Sequence, residues 1–205
     1  MSKSVKNFSI SENKFLNKNV FFSTGQFAKQ TGISISSASR RLAALKKADD
    51  VMAITRGVWG QKNHPYFNIY GAVPLLLGLE RGYVSFLTAL HKHDVLSQIP
   101  SAVQIATTGH SRKLETPIGY FEFFHLQPQL MQTGIEISEG QLEYPLATAE
   151  KALFDTLYIS TRKGRRFQKL PELDFENIDQ KKLNKLISLT PESVKRLIRK
   201  KINFL

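Results

Sequence analysis

Residues 23–60 read STGQFAKQTGISISSASRRLAALKKADDVMAITRGVWG, and the fold class turns on this stretch. Ser23 with Gln26 three positions later has capping-box spacing, which predicts a helix through Phe27 and Ala28 to Gln30. Gly32 stops it. Ser34 or Ser36 then caps a further helix reaching about Lys47. Asp49-Asp50 marks a turn, Val51 to Ile54 reads as a strand, Arg56-Gly57 turns again, and Val58-Trp59-Gly60 returns as a second strand. Helix, short glycine turn, helix and β-hairpin, in that order, spell a winged helix-turn-helix.

The second of these helices carries the functional expectation. With Ala38, Leu42 and Leu45 at the centre of its buried face, Ser36, Arg40, Ala43, Ala44 and Lys47 point away, flanked by Ser37 and Ser39. Small polar residues with long cations suit a major groove about 12 Å wide. Arginine meets guanine O6 and N7 with two hydrogen bonds, and serines near the helix start suit phosphates or base edges. The expected DNA contacts are Ser36, Ser37, Ser39, Arg40, Arg41 and Lys47, with Arg56 on the wing. The blander reading leaves Arg40 and Arg41 on a solvated face. The concurrent hairpin and the regional charge favour duplex DNA.

That charge is uneven. The chain has 205 residues and a net charge of +12, split as +8 over residues 1–63, −4 over 64–160 and +8 over 161–205. Basic ends around an acidic middle point to a polyanion partner, because each neutralised phosphate releases a condensed counterion. An apolar fraction of 41% is ordinary for a globular protein. Cysteine is absent, which excludes disulfides and thiolate metal sites and fits a reducing compartment. The N-terminal residues lack the apolar core of a signal peptide, and the run from Ala72 to Leu79 is too short for a bilayer. A cytoplasmic protein with no membrane partner is expected.

Upstream of residue 23, Ser11 is placed to cap a short helix bearing Phe15 and Leu16, and Val20-Phe21-Phe22 is β-prone. Downstream, the proline- and glycine-bearing residues 64–82 read as a linker between a DNA-binding domain (1–63) and a second domain (83–205). In the latter, Ser85 caps a helix through His91. Val103–Thr107 and Ile118–His125 read as strands joined by a polar loop, GHSRKLETP. Ile135–Ile137 and Leu142–Tyr144 make a shorter pair. Thr148 caps a helix with Ala152, Leu153, Thr156 and Leu157 near one face, and Asp179 and Thr190 cap two terminal helices. The expected fold is α+β: an N-terminal winged helix-turn-helix followed by a mixed α+β domain.

Other constellations are weaker. His91 and His93 point in different directions on a helix, and no metal-ligand spacing occurs, so neither metal nor cofactor is expected. Glu150, Lys151 and Asp155 raise the alternative of a DNA-targeted nuclease. An intrahelical Lys151–Asp155 ion pair and a dipole-favoured Glu150 account for them more simply. Arg112 and Lys113 in the cationic loop, and Arg196, Arg199 and Lys200 on the last helix, are secondary candidates for DNA or partner contacts. The last helix carries Val194, Leu197, Ile198, Ile202 and Leu205 along one stripe.

The order of winged helix, RGVWG (56–60), GYVSFLTALHKHDVLSQIP (82–100), ATTGHSRKLETPIGYFEFFHL (106–126) and YPLATAEKALFDTLY (144–158) resembles the AbiEi-type antitoxins. These are the regulator halves of bacterial abortive-infection (type IV) toxin–antitoxin pairs. The resemblance covers roughly residues 20–160 and does not extend to the basic tail after Arg162. It implies a non-enzymatic protein whose N-terminal domain represses its own operon. It also implies a C-terminal domain that counteracts a nucleotidyltransferase-like toxin. The family's reading helix maps onto Ser36 to Lys47. A rival reading keeps the DNA-binding regulator but gives the second domain a ligand-sensing or assembly role.

Overall fold

The computed structural model describes residues 9–162, 167 and 170–202, and the chain is a mixed α+β protein with two sheets. The described residues form two compact units. One comprises the residues up to Leu76 with Thr116–Ile118; the other comprises Leu77–Glu115 and the residues from Gly119 onward.

The first unit begins with α1 (Ile10–Leu16). Its cap is Ser9, not Ser11, because Glu12 closes a reciprocal box with Ser9: the Glu12 N–H donates to Ser9 Oγ and the Ser9 N–H to Glu12 Oε2. β1 (Phe21–Ser23) follows, then α2 (Thr24–Thr31), which starts at the expected Ser23–Gln26 box and ends at Gly32 with φ 71°. That left-handed cap favours glycine. α3 (Ile35–Lys47) is capped by Ser34, whose hydroxyl accepts from the Ser37 N–H. β2 (Met52–Thr55) and β3 (Val58–Gly60) form a hairpin, Gly57 turning it at φ 76°. Both flanking strands pair antiparallel with β3, giving the order β1-β3-β2. Phe15, Leu16, Phe22, Phe27, Ala38, Leu42, Leu45 and Val51 share one core, with Trp59 packed against it. Phe15 meets both Phe22 and Phe27 edge-on.

Residues 64–82, expected as a linker, carry ordered elements: a 3-10 turn at Ile69–Ala72 leading into α4 (Val73–Leu77). Within them Ala72 and Val73 are fully buried, and the division between the two units falls at Leu76 and Leu77.

The second unit is built on β4 (Gly82–Val84), α5 (Phe86–Lys92), β5 (Val103–Thr107), β6 (Arg112–Thr116), β7 (Gly119–His125), β8 (Ile135–Ile137), β9 (Pro145–Ala147), α6 (Ala149–Ser160), α7 (Gln180–Ser188) and α8 (Glu192–Ile202). The six strands run in the order β6-β7-β5-β4-β9-β8. β5 lies parallel to β7 and antiparallel to β4, and β4 lies parallel to β9. Two expectations are corrected. The polar loop between β5 and β7 contains β6, an edge strand whose exposure alternates from Arg112 to Thr116. The partner of Ile135–Ile137 is Pro145–Ala147, not Leu142–Tyr144.

α6 follows the Thr148 cap as expected, but it is not half-solvated. All of its residues except Ile159 are buried, and α5, α7, α8 and β9 all pack on it. Asp179 caps α7, whereas the Thr190 hydroxyl turns back to donate to the Ile187 carbonyl. On α8 only Ile198 is fully buried; Leu205, the last member of the expected stripe, lies outside the described residues.

Candidate nucleic-acid interface

The exposed side of α3 follows from its buried side. Ala38, Leu42 and Leu45 face the core, and helical periodicity therefore turns Ser36, Arg40, Ala43, Ala44 and Lys47 outward, all of them exposed. Ser39 and Lys46 are exposed on one flank, and Ser37 is half-buried on the other. Thirteen residues make a rod about 20 Å long. Its start is a serine cluster: Ser34 Oγ lies 3.0 Å from Ser36 Oγ and donates to Ser37 Oγ at 3.0 Å. Arg56 is exposed at the β2–β3 turn, and the hairpin is fastened to α2 at two points. Trp59 Nε1 donates to Thr24 Oγ1 at 2.9 Å, and the Thr24 N–H donates to the Gly57 carbonyl.

The cations divide into two sets. Among the described residues no carboxylate lies within ion-pair distance of Arg40, Lys47 or Arg56. Arg41 is different. Its Nε and Nη2 meet the two oxygens of Glu12 at 2.7 and 2.9 Å, a fork that joins α3 to α1. Burial would raise the Glu12 carboxyl, but the Arg41 guanidinium and the Ser9 donors hold it below its ordinary value. Sequence reasoning grouped Arg41 with the outward cations; the S-x-x-E spacing of Ser9 and Glu12 marks the cap of α1 and gives no sign of Arg41, 29 residues away.

The secondary candidates lie in the second unit. Arg112 is engaged by Glu80 at 2.8 Å and stacks 4.0 Å over the Phe123 ring. Lys113 is exposed and lies 3.3 Å from Glu122. Arg196, Arg199 and Lys200 are exposed on α8. The two histidines are occupied separately: His91 Nδ1 lies 2.9 Å from the Leu96 carbonyl and His93 Nε2 2.7 Å from that of Ala147.

A buried polar cluster joins β4 to α6. Asp155 accepts from Tyr83 at 3.0 Å, from Ser85 at 2.8 Å and from the Lys151 ammonium, which is itself fully enclosed. Lys151 Nζ also lies over the rings of Tyr83 and Phe154. Burial pushes the Asp155 carboxyl up, opposed by the Lys151 charge and the two hydroxyl donors. Burial, with the Asp155 charge adding to it, pushes the Tyr83 phenol well above its ordinary value. The expected Lys151–Asp155 pair thus exists as an interior one. Glu150 is buried too, and accepts from the Asp179 N–H.

No protein-family model matches the chain, and no curated protein matches it in sequence. Among the described residues no helix is long and apolar enough to cross a membrane.

Proposed function

We propose that this chain is a sequence-specific DNA-binding repressor of its own operon, acting as the antitoxin of a toxin–antitoxin pair. In this reading α2 and α3 are the helix-turn-helix, α3 enters the major groove, and the β2–β3 hairpin is the wing. The observation that carries it is the pairing state of the cations. Arg41, Arg112 and Lys151 each meet a carboxylate at close range, while among the described residues none lies within ion-pair distance of Arg40, Lys47 or Arg56 on the α3 face and the hairpin turn. Cations left unpaired beside small side chains suit a polyanion that approaches closely. The toxin-neutralising role rests on the resemblance to AbiEi-type antitoxins. The nuclease alternative needs a carboxylate that metal and water can reach, and Glu150 and Asp155 are buried with internal hydrogen-bond partners.

The experiment is a mobility-shift titration of the full chain on DNA from upstream of its own gene, beside growth rescue in cells expressing the neighbouring toxin. Tight, sequence-dependent binding with rescue is expected. Binding that is indifferent to sequence would contradict the repressor, and absence of rescue would contradict the antitoxin.

A further inference from the structure

We infer that α7 and α8 form a second nucleic-acid surface, one that grips the phosphate backbone of duplex DNA without regard to sequence.

Residues 180–202, which hold both helices, carry eight lysines and arginines against a single carboxylate, Glu192. Burial fixes where the cations point. Leu183, Leu186 and Ile187 face the interior on α7, so Lys181 and Lys185 stand opposite them with Lys182 beside. Ile198 is the buried centre of α8, so Arg196 and Lys200 stand opposite it with Arg199 beside. All six cations are exposed. Each helix therefore sets two cations one turn apart on its outward side, about 6 Å along its axis.

That arrangement works against the fold. Like charges four residues apart weaken a helix, and an ordinary soluble surface intersperses the two signs. The nearest carboxylates are committed elsewhere. Asp179 accepts from the backbone N–H groups of Lys181 and Lys182, and Glu192 pairs with Lys195 at 3.3 Å. Among the described residues no carboxylate lies within ion-pair distance of the six.

Duplex DNA supplies the missing charge, at one negative charge per about 1.7 Å of its axis. Two other partners fit less well. Protein interfaces are depleted in lysine, whereas lysine and arginine are prominent among the side chains that meet phosphates. A bilayer takes up the apolar face of a helix, and that of α8 is turned inward. Ile198 is fully buried and Val194 and Ile202 are half-buried, which leaves Leu197 exposed on the flank.

The test uses the full chain on two duplexes, one enriched by it from a random library and one of shuffled sequence. Lysine acetylation, read by mass spectrometry, should slow severalfold at Lys181, Lys185 and Lys200 when the shuffled duplex is added. A variant with Lys181→Gln, Lys185→Gln, Arg196→Gln and Lys200→Gln should lower the log–log salt slope on that duplex by about three units. Exchanging lysine and arginine at the same four positions should keep the slope. Glutamine is a good helix former and the four side chains are exposed, so the fold is left intact. Preference for the enriched duplex should survive, because phosphates carry no sequence. Acetylation unchanged by duplex, or a slope within about one unit of wild type, would overturn the inference. Protection by phosphatidylserine vesicles with none by duplex would do so too, and would assign the face to a membrane. If no sequence is enriched, reading by α3 falls, while the shuffled duplex still tests α7 and α8.

Discussion

Glu12 shows how one side chain can fix the character of another. It closes the cap of α1 and clamps Arg41 on α3, so a residue that looks like a DNA contact is held as an interhelical tie. Because the carboxyl is lowered in the folded state, its stabilisation is present above the ordinary carboxylate range and is lost as pH falls through the lowered value. Glu12→Gln should therefore destabilise the protein by about 1–2 kcal/mol at pH 7. Near pH 3 the difference should largely vanish, as denaturant titrations at the two pH values will show. Lys151 makes a stronger claim. Removing it leaves Asp155 charged and enclosed, so Lys151→Met should cost about 3–5 kcal/mol. Replacing both partners by apolar residues of similar volume should recover much of that loss. Equal losses in the single and double variants would show that the pair is not what holds β4 to α6.

Elements differ in how plainly the sequence announced them, and the difference is physical. The Ser23–Gln26 box, the glycine stop at Gly32 and the Arg56-Gly57 turn are local devices, and α2, α3 and the hairpin fall where those residues put them. β6 was missed because Arg-Lys-Leu-Glu-Thr is too polar for a core strand. It is an edge strand, where charge is compatible with pairing on one side and water on the other. The burial of α6 was missed because its buried Asp155 is satisfied by Tyr83 and Ser85, 72 and 70 residues away in sequence. No periodicity reveals a partner at that separation. The outward face of α3 was legible, since burial of three apolar residues dictates it; the commitment of Arg41 was not. At this scale the account predicts a salt response. Affinity should fall with a log–log slope of about −0.9 per phosphate met. Neutralising Lys47 or Arg56 should each reduce the slope by about one unit in titrations from low to moderate salt. A slope unchanged in both variants would remove them from the backbone contacts.

For the whole molecule, the two compact units invite a division of labour. Each has its own buried core: Phe22, Phe27 and Leu42 in one, Phe121, Phe123 and Phe154 in the other. A fragment from Leu77 to Leu205 is large enough to bury a core of its own. It should lose sequence-specific DNA binding yet still rescue growth against the cognate toxin, while the fragment ending at Leu76 should bind DNA and give no rescue. Rescue by the N-terminal fragment alone would mean that repression accounts for the whole protective effect.

The central claim is that the exposed face of α3 reads base sequence, and Arg40 is its long cation with no carboxylate partner among the described residues. The most direct measurement is a binding titration of the full chain and of Arg40→Ala, at one salt concentration, on an enriched duplex and on a shuffled duplex of the same composition. The account predicts a loss of about 1–3 kcal/mol for Arg40→Ala on the enriched duplex, with relaxed preference at one base pair. Only the small loss of one charge is expected on the shuffled duplex. Equal affinities of the two proteins on both duplexes, with base preference unchanged, would contradict it.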